Sequence, residues 1–296
     1  MAPRTTGTPP AVPSYGATSM TAPLLRALVQ RPGPAFGRAF DDPAAGFLHP
    51  VDLERAQREH DGLVEALVRL GVEVHELGAG EAPYPDLVYL FDPLLVTGRG
   101  TIALRSGKPG RRGEEAIAEA WTAARGIPAL GRIEEPGTVD GGDTAWLRPD
   151  LLCTGRTLRT NEAGIRQLAA IAAGDVRVFD LPYWRGPAEL VHLLSVVSPV
   201  ADDLAVVFEP LLPVGLWALL ADIGVRTIAV PEEEYATLGA NVLAVRPGVC
   251  LVAAGNPVTR RALAAAGCEV HAVPLDEVGR NGSGGPTCLV RPILRA

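Results

Sequence analysis

Apolar positions along this chain follow two alternating rhythms. Across residues 51–70 they fall at helical spacing (Leu53, Ala56, Leu63, Leu67, Leu70), with charged residues between them and Gly71 as a stop; residues 72–75 then read as a strand. Residues 86–104 form two apolar runs around Thr97-Gly98-Arg99-Gly100, a predicted hairpin, and a helix follows over 114–124. A strand start is expected at the glycine pair between Asp140 and Asp143, a second hairpin follows at residues 151–155, and Thr160 or Asn161 is suited to cap the next helix. Residues 176–181 read as a strand. A hairpin half over 189–198 carries His192 and pairs with 204–208, followed by a helix over 211–220 and a strand over 225–230. The last repetition has a hairpin (242–245 and 249–253), a helix (257–266) and a strand (269–273), with a final hairpin strand carrying Cys288.

The rhythm of strand, strand, helix, strand returns about five times with a period of roughly 50 residues, which points to a closed array of similar units. The expected class is α+β. Residues 1–23 are rich in Thr, Pro, Ala and Ser, carry no period and are expected to form a disordered tail; residues 24–296 form one domain. Residues at equivalent points of successive units (Asp92, Asp140, His192, Cys288) converge near the axis of such an array.

Composition narrows the function. Of 296 residues, 47% are hydrophobic and only 5% aromatic, so the core is built from Ala, Val and Leu. A net charge of −7 argues against a nucleic-acid surface and suits a small cationic substrate. Cys153, Cys250, Cys268 and Cys288 show no CxxC or Cys/His metal spacing. Neither a secretory signal nor an apolar run long enough to span a bilayer is visible, so the expected location is the cytoplasm without membrane attachment. Nothing calls for a metal or an organic cofactor, and a homodimer is compatible with the chain.

The candidate chemistry centres on Cys288, which follows Asn281-Gly282-Ser283-Gly284-Gly285-Pro286-Thr287. Attack on a guanidinium carbon needs a nucleophile, carboxylates that hold the cation, and an acid–base serving both the leaving amine and the incoming water. Cys288, Asp92 with Asp140, and His192 supply that set. His75, alone on its strand, reads as structural. Asp92 either caps a turn at Asp92-Pro93 or faces a cavity that receives a cation.

The stretches PDLVYLFDP, GKPGRRGEE, VDGGD, RTNEAG, VHLLS, ANVLAV and GGPTCL occur in the order found in dimethylarginine dimethylaminohydrolases. From about residue 36 onward the chain resembles that family, part of the guanidino-modifying group that includes arginine deiminases and amidinotransferases. The resemblance implies a five-bladed α/β propeller of ββαβ units and hydrolysis of an N-methylated arginine to citrulline through a covalent thiouronium. It implies Cys288 as nucleophile, His192 as acid–base and Asp140 as the carboxylate that orients it. Asp92 would bind the guanidinium and Asp86 the substrate α-amine, while Arg105 and Arg159 would grip its carboxylate.

Two positions depart from the wider pattern. Leu194 stands where deiminases and amidinotransferases place a second carboxylate, which favours an N-alkylated substrate. Phe91 stands where well-studied dimethylargininases have an acid, and is expected either to pack against N-methyl groups or to enter the core. The alternatives are an arginine deiminase or amidinotransferase acting on another guanidino compound and, less favoured, a non-catalytic propeller binding protein.

Overall fold

A computed structural model describes residues 14–186 and 190–296 of the chain. Strand β1 (Leu24–Val29) leads through a one-turn helix α1 (Pro34–Gly37) and the long α2 (Leu53–Arg69) to β2 (Glu73–Glu76). The next unit comprises β3 (Leu94–Thr97), β4 (Gly100–Ala103), α3 (Glu114–Ala123) and β5 (Ala129–Arg132). It is followed by β6 (Thr144–Arg148), β7 (Leu151–Arg156), α4 (Glu162–Ala172) and β8 (Asp175–Asp180). The fourth unit has β9 (Val197–Ala201), β10 (Leu204–Val207), α5 (Val214–Asp222) and β11 (Arg226–Ala229). A short α6 (Glu232–Tyr235) precedes β12 (Leu243–Arg246), β13 (Val249–Ala253), α7 (Pro257–Ala265) and β14 (Glu269–Val273). Strand β15 (Arg291–Arg295) returns to β1 and completes the sheet β15-β1-β2.

Each of the five sheets has three strands, the first two antiparallel and the last two parallel. This is the ββαβ five-bladed α/β propeller. The first strand of each blade is almost wholly buried, as in β3, whereas third strands such as β8 alternate between exposed and half-buried. Inner strands therefore line the axis and read as continuous apolar runs, because both of their faces meet protein.

Local chemistry sets the helices that brace this ring. Asp52 caps α2, its carboxylate accepting from the Arg55 N–H at 2.9 Å, and Gly71 leaves the helix at φ +90°. The buried stripe of α2 is Ala56, Leu63, Ala66 and Leu67, spaced to face one side. Asn161, one of the two expected caps, accepts from the Gly164 N–H at 2.8 Å.

Four expectations change. Strand β1 lies just beyond the expected tail and was not foreseen; it is the partner that closes the ring. The tail itself is shorter than expected, since residues 14–23 pack on the propeller. The Gly16 N–H donates to Ile293 O at 2.8 Å, the Met20 N–H to Trp146 O at 3.2 Å, and Ala17 and Met20 are buried. Backbone pairing needs no apolar period, so composition did not reveal it; residues 1–13 lie outside the described residues. His192 is not on a strand: it precedes a 3-10 turn (Leu193–Ser195), because the Leu193 N–H turns away to Asp143 Oδ1 at 3.1 Å. Residue 189 of that expected strand lies outside the described residues. Cys288 likewise sits in a turn ahead of β15, its N–H donating to Gly285 O at 3.0 Å.

Candidate active site

Just ahead of the first strand of each blade stands one polar side chain: Asp92 before β3, Asp140 before β6, His192 before β9, Asn241 before β12 and Cys288 before β15. The fold therefore gathers all five at one end of the axis. Asp92, Asp140, His192 and Cys288 were expected there; Asn241, which occupies the matching place in the fifth blade, was not.

Asn241 holds Cys288. Its Nδ2 donates to Cys288 Sγ at 3.3 Å, and its Oδ1 accepts from the Thr287 N–H at 3.0 Å. Gly285 makes room for that amide, because a β-carbon there would lie 2.4 Å from Asn241 Oδ1. Glycines 282 and 284 do the same for the Tyr89 ring, whose hydroxyl donates to Val278 O at 3.1 Å. The glycine-rich stretch is thus a close-packed seat for the cysteine rather than a loose loop. Burial and the nearby Asp92 carboxylate push the Cys288 thiol up to about 11, with Asn241 and the Gly285 backbone contact opposing them.

Gly142 joins the rest. Its N–H donates to Asp92 Oδ1 at 2.7 Å, and a β-carbon on it would lie 2.5 Å from His192 Nδ1. The Phe91 N–H donates to Cys288 O at 3.0 Å, tying the residue beside Asp92 to the nucleophile turn. Asp92 Oδ2 pairs with Arg111, a buried guanidinium also bound to Glu114 Oε2 at 2.7 Å. In the structure the Asp92 carboxylate is thus engaged by a cation of the protein itself, Arg111.

His192 Nε2 lies 3.5 Å from Asp140 Oδ2, an ion-pair separation without a hydrogen bond. Asp140 is fully buried; its Oδ1 accepts from the Gly107 N–H at 2.9 Å and its Oδ2 from Arg159 Nη1 at 3.3 Å. Burial alone would lower the basicity of His192, but the carboxylates of Asp143, Asp140 and Asp92 outweigh it and hold the imidazole at about 9. Burial pulls Asp140 the other way, yet His192, Arg111 and Arg159 keep it well below the usual carboxylate range.

Several supporting groups escaped sequence reasoning. Asp143 Oδ2 accepts from Thr160 Oγ1 at 2.6 Å and from Thr157 Oγ1 at 2.7 Å, while its Oδ1 holds the Leu193 N–H. Thr160 also receives the Asp140 N–H at 3.1 Å, so it serves the site and not the helix cap. Arg111 and Lys108 sit in a loop that reads as solvated, yet Arg111 is 4% exposed and Lys108 pairs with Asp86. The usable signal was the blade period: four aligned positions imply a fifth.

Among the expected substrate contacts, Asp86 is buried against Lys108, whose Nζ also donates to Ala45 O at 2.8 Å. Arg105 donates to Gly137 O at 3.1 Å and lies 3.6 Å from Glu135 Oε2, while Arg159 rests on Asp140. Phe91 is a correction. Its ring turns into the core with Leu193 and Leu194, and the Arg291 guanidinium stacks on it at 3.6 Å from the ring centroid. An aromatic ring gains more from that apolar cluster than from the polar mouth, so of its two expected places the core is the one taken.

Residues 218–295 match the family model described as arginine deiminase. Over 273 residues the chain is 32% identical to the N(G),N(G)-dimethylarginine dimethylaminohydrolase of Streptomyces coelicolor, covering 90% of this chain and 96% of that protein. The chain belongs to the dimethylarginine dimethylaminohydrolase family. The Pseudomonas aeruginosa dimethylarginine dimethylaminohydrolase is also 32% identical, over 84% of this chain and 92% of its own. A solved structure of that enzyme, a cysteine-to-serine mutant complexed with citrulline, superposes with a TM-score of 0.75 at 26% identity, over 93% of this chain and 100% of that one. Family membership and the five pre-strand positions thus rest on separate observations, one on sequence identity and the other on the geometry of the blades.

Proposed function

We propose that this chain is a cysteine-dependent hydrolase that converts an N-methylated arginine to citrulline and an alkylamine. The observation that carries this reading is the set of pre-strand side chains, in which Gly142 brings together His192 and Asp92, Asp140 lies 3.5 Å from His192, and the Phe91 N–H beside Asp92 holds Cys288 O. The relatives whose names describe dimethylarginine hydrolysis, and the citrulline held by one of them, support the substrate class.

In the proposed sequence the substrate guanidinium lies beside Asp92, whose charge is only partly countered by Arg111. The added cation draws the thiol toward thiolate, which burial and Asp92 otherwise oppose. The thiol proton is lost to solvent as the cation binds, and the Cys288 Sγ thiolate then bonds to the guanidinium carbon. His192, protonated at neutral pH, donates its proton to the departing alkylamine as that C–N bond breaks. The neutral imidazole next takes a proton from water, the oxygen bonds to the same carbon, and Sγ leaves to give citrulline. Asp140 keeps the imidazole oriented and favours its cation. Asp86, Arg105 and Arg159 are the proposed grip on the α-amine and α-carboxylate, and each would exchange an internal contact for the substrate.

Deimination of arginine itself is the second reading, favoured by the arginine deiminase model over residues 218–295. Against it, the Leu194 side chain lies in the core, so the expected position of a second carboxylate offers the guanidinium nothing.

The deciding experiment incubates the protein separately with asymmetric dimethylarginine and with arginine, and measures citrulline together with dimethylamine or ammonia. Dimethylamine release in step with citrulline is the expected result, and Cys288→Ser should abolish it while the far-ultraviolet circular dichroism stays unchanged. Faster citrulline from arginine would move the assignment to the second reading. A Cys288→Ser protein with normal turnover would remove the nucleophile from the mechanism.

A further inference from the structure

The propeller axis contains a second polar feature, below the catalytic mouth and unrelated to substrate. A small cavity there, about 10 Å³ for the centre of a water-sized particle, is lined by Ala17, Met20, Phe91, Trp146 and Arg291 among others. Arg291 is 2% exposed, yet among the described residues no carboxylate forms an ion pair with it: its Nη2 donates to Phe91 O and its face stacks on the Phe91 ring. Its Nε–H has no partner among the described residues. Trp146 is 6% exposed, and its Nε1–H also has none among them. Thr144, which lines the same space, already donates its hydroxyl to Gly141 O at 2.7 Å.

Two buried N–H groups on one cavity, without partners among the described residues, are costly unless something accepts from both. Most of the remaining wall is apolar, with Ser19 and Thr144 as its polar members, which strengthens any charge interaction inside it. Asp92 acts on the guanidinium electrostatically but makes no ion pair with it. A water could accept both bonds but would bring two protons of its own and add no charge opposite the guanidinium. We infer that the axial cavity between Arg291 and Trp146 is a binding site for one small monovalent anion of the halide class.

Two parts of the chain border the site. Ala17, Ser19 and Met20 line one side of it, in a segment pinned by Gly16 to Ile293 and by Met20 to Trp146. Its other side is Phe91, whose N–H holds Cys288 O. A bound halide therefore stabilises the segment that lines it and the backbone on which the nucleophile turn rests. Burial pushes the Arg291 guanidinium down to about 9 against the pull of the Asp92 carboxylate, and a bound anion would add to that pull.

Crystals grown without halide and soaked in sodium bromide test the assignment directly. An anomalous peak within hydrogen-bond distance of Arg291 Nε and Trp146 Nε1 is expected; a cavity without bromide at saturating concentration would overturn the inference. In solution, the midpoint of thermal unfolding should rise saturably with chloride or bromide at constant ionic strength. Trp146→Phe, which keeps the ring and deletes the donor, should weaken that dependence about tenfold or more, the weight of one hydrogen bond to a charged group. An identical halide dependence in wild type and Trp146→Phe would also overturn it. Should Trp146→Phe not fold, the bromide position in the wild type still decides.

Discussion

One amide does two tasks at Cys288: Asn241 Nδ2 faces the sulfur while Asn241 Oδ1 fixes the turn that carries it. Removing the donor leaves burial and Asp92 unopposed by the strongest side-chain contact to the sulfur. In the free protein, alkylation of Cys288 by a small neutral haloacetamide should rise with pH toward about 11. In Asn241→Ala the rise should shift upward by about one pH unit, roughly the weight of one hydrogen bond to a charged group. An unshifted profile would show that Asn241 only supports the turn. His192 makes a prediction about stability. Its folded value of about 9 exceeds the ordinary 6.5, so its contribution is complete below pH 6.5 and is lost as pH rises through 9. The stability lost on His192→Gln, from denaturant unfolding, should therefore be larger at pH 6 than at pH 10. At this scale the sequence named the groups proposed to react, since Cys, His and Asp carry recognisable chemistry. It did not name Asn241, Arg111 or Thr160, whose residue types fit many neutral roles and whose partners lie in other blades.

Two glycines separate the elements that build the site from those that build the fold. A β-carbon on Gly164, near the start of α4, would lie 2.2 Å from Thr138 O, a backbone atom that cannot step aside. Gly164→Ala should cost about 1–3 kcal/mol of stability, the usual range for overpacking, read from the urea midpoint. On Gly285 the atoms met are Asn241 Cγ and Oδ1 at 2.4 Å and its Cβ at 2.6 Å, and no rotation of that side chain moves the Cβ. Gly285→Ala should therefore also lower the unfolding midpoint and, unlike Gly164→Ala, lose most of its activity, because the Asn241 amide is pushed off the sulfur. Equal losses of activity in the two variants would contradict this division. Helices and inner hairpins were legible because their periods follow from burial, as in α2 and the β3–β4 pair. The turns at His192 and Cys288 were not, since Leu193-Leu194 and Leu289-Val290 are apolar for reasons of packing and mimic strands.

The whole ring depends on a strand pair far apart in sequence. β15 and β1 register as Leu28 with Arg291 and Ala27 with Pro292, and β2 then adds in parallel. The fivefold rhythm foretold a closed array but not its clasp, because β1 directly follows a stretch with no apolar period. Deleting residues 291–296 should abolish cooperative thermal unfolding and leave a species that binds a hydrophobic dye. A truncated chain with a sharp transition near the wild-type midpoint would show that the other four blades stand alone. The placement of the nucleophile between β14 and this clasp also bears on the order of events during synthesis. On the ribosome, His192, Asp92 and Asp140 emerge before Cys288, and the turn that seats its sulfur leads directly into the last strand. A chain released before that point therefore carries the proposed acid–base and carboxylates without the proposed nucleophile.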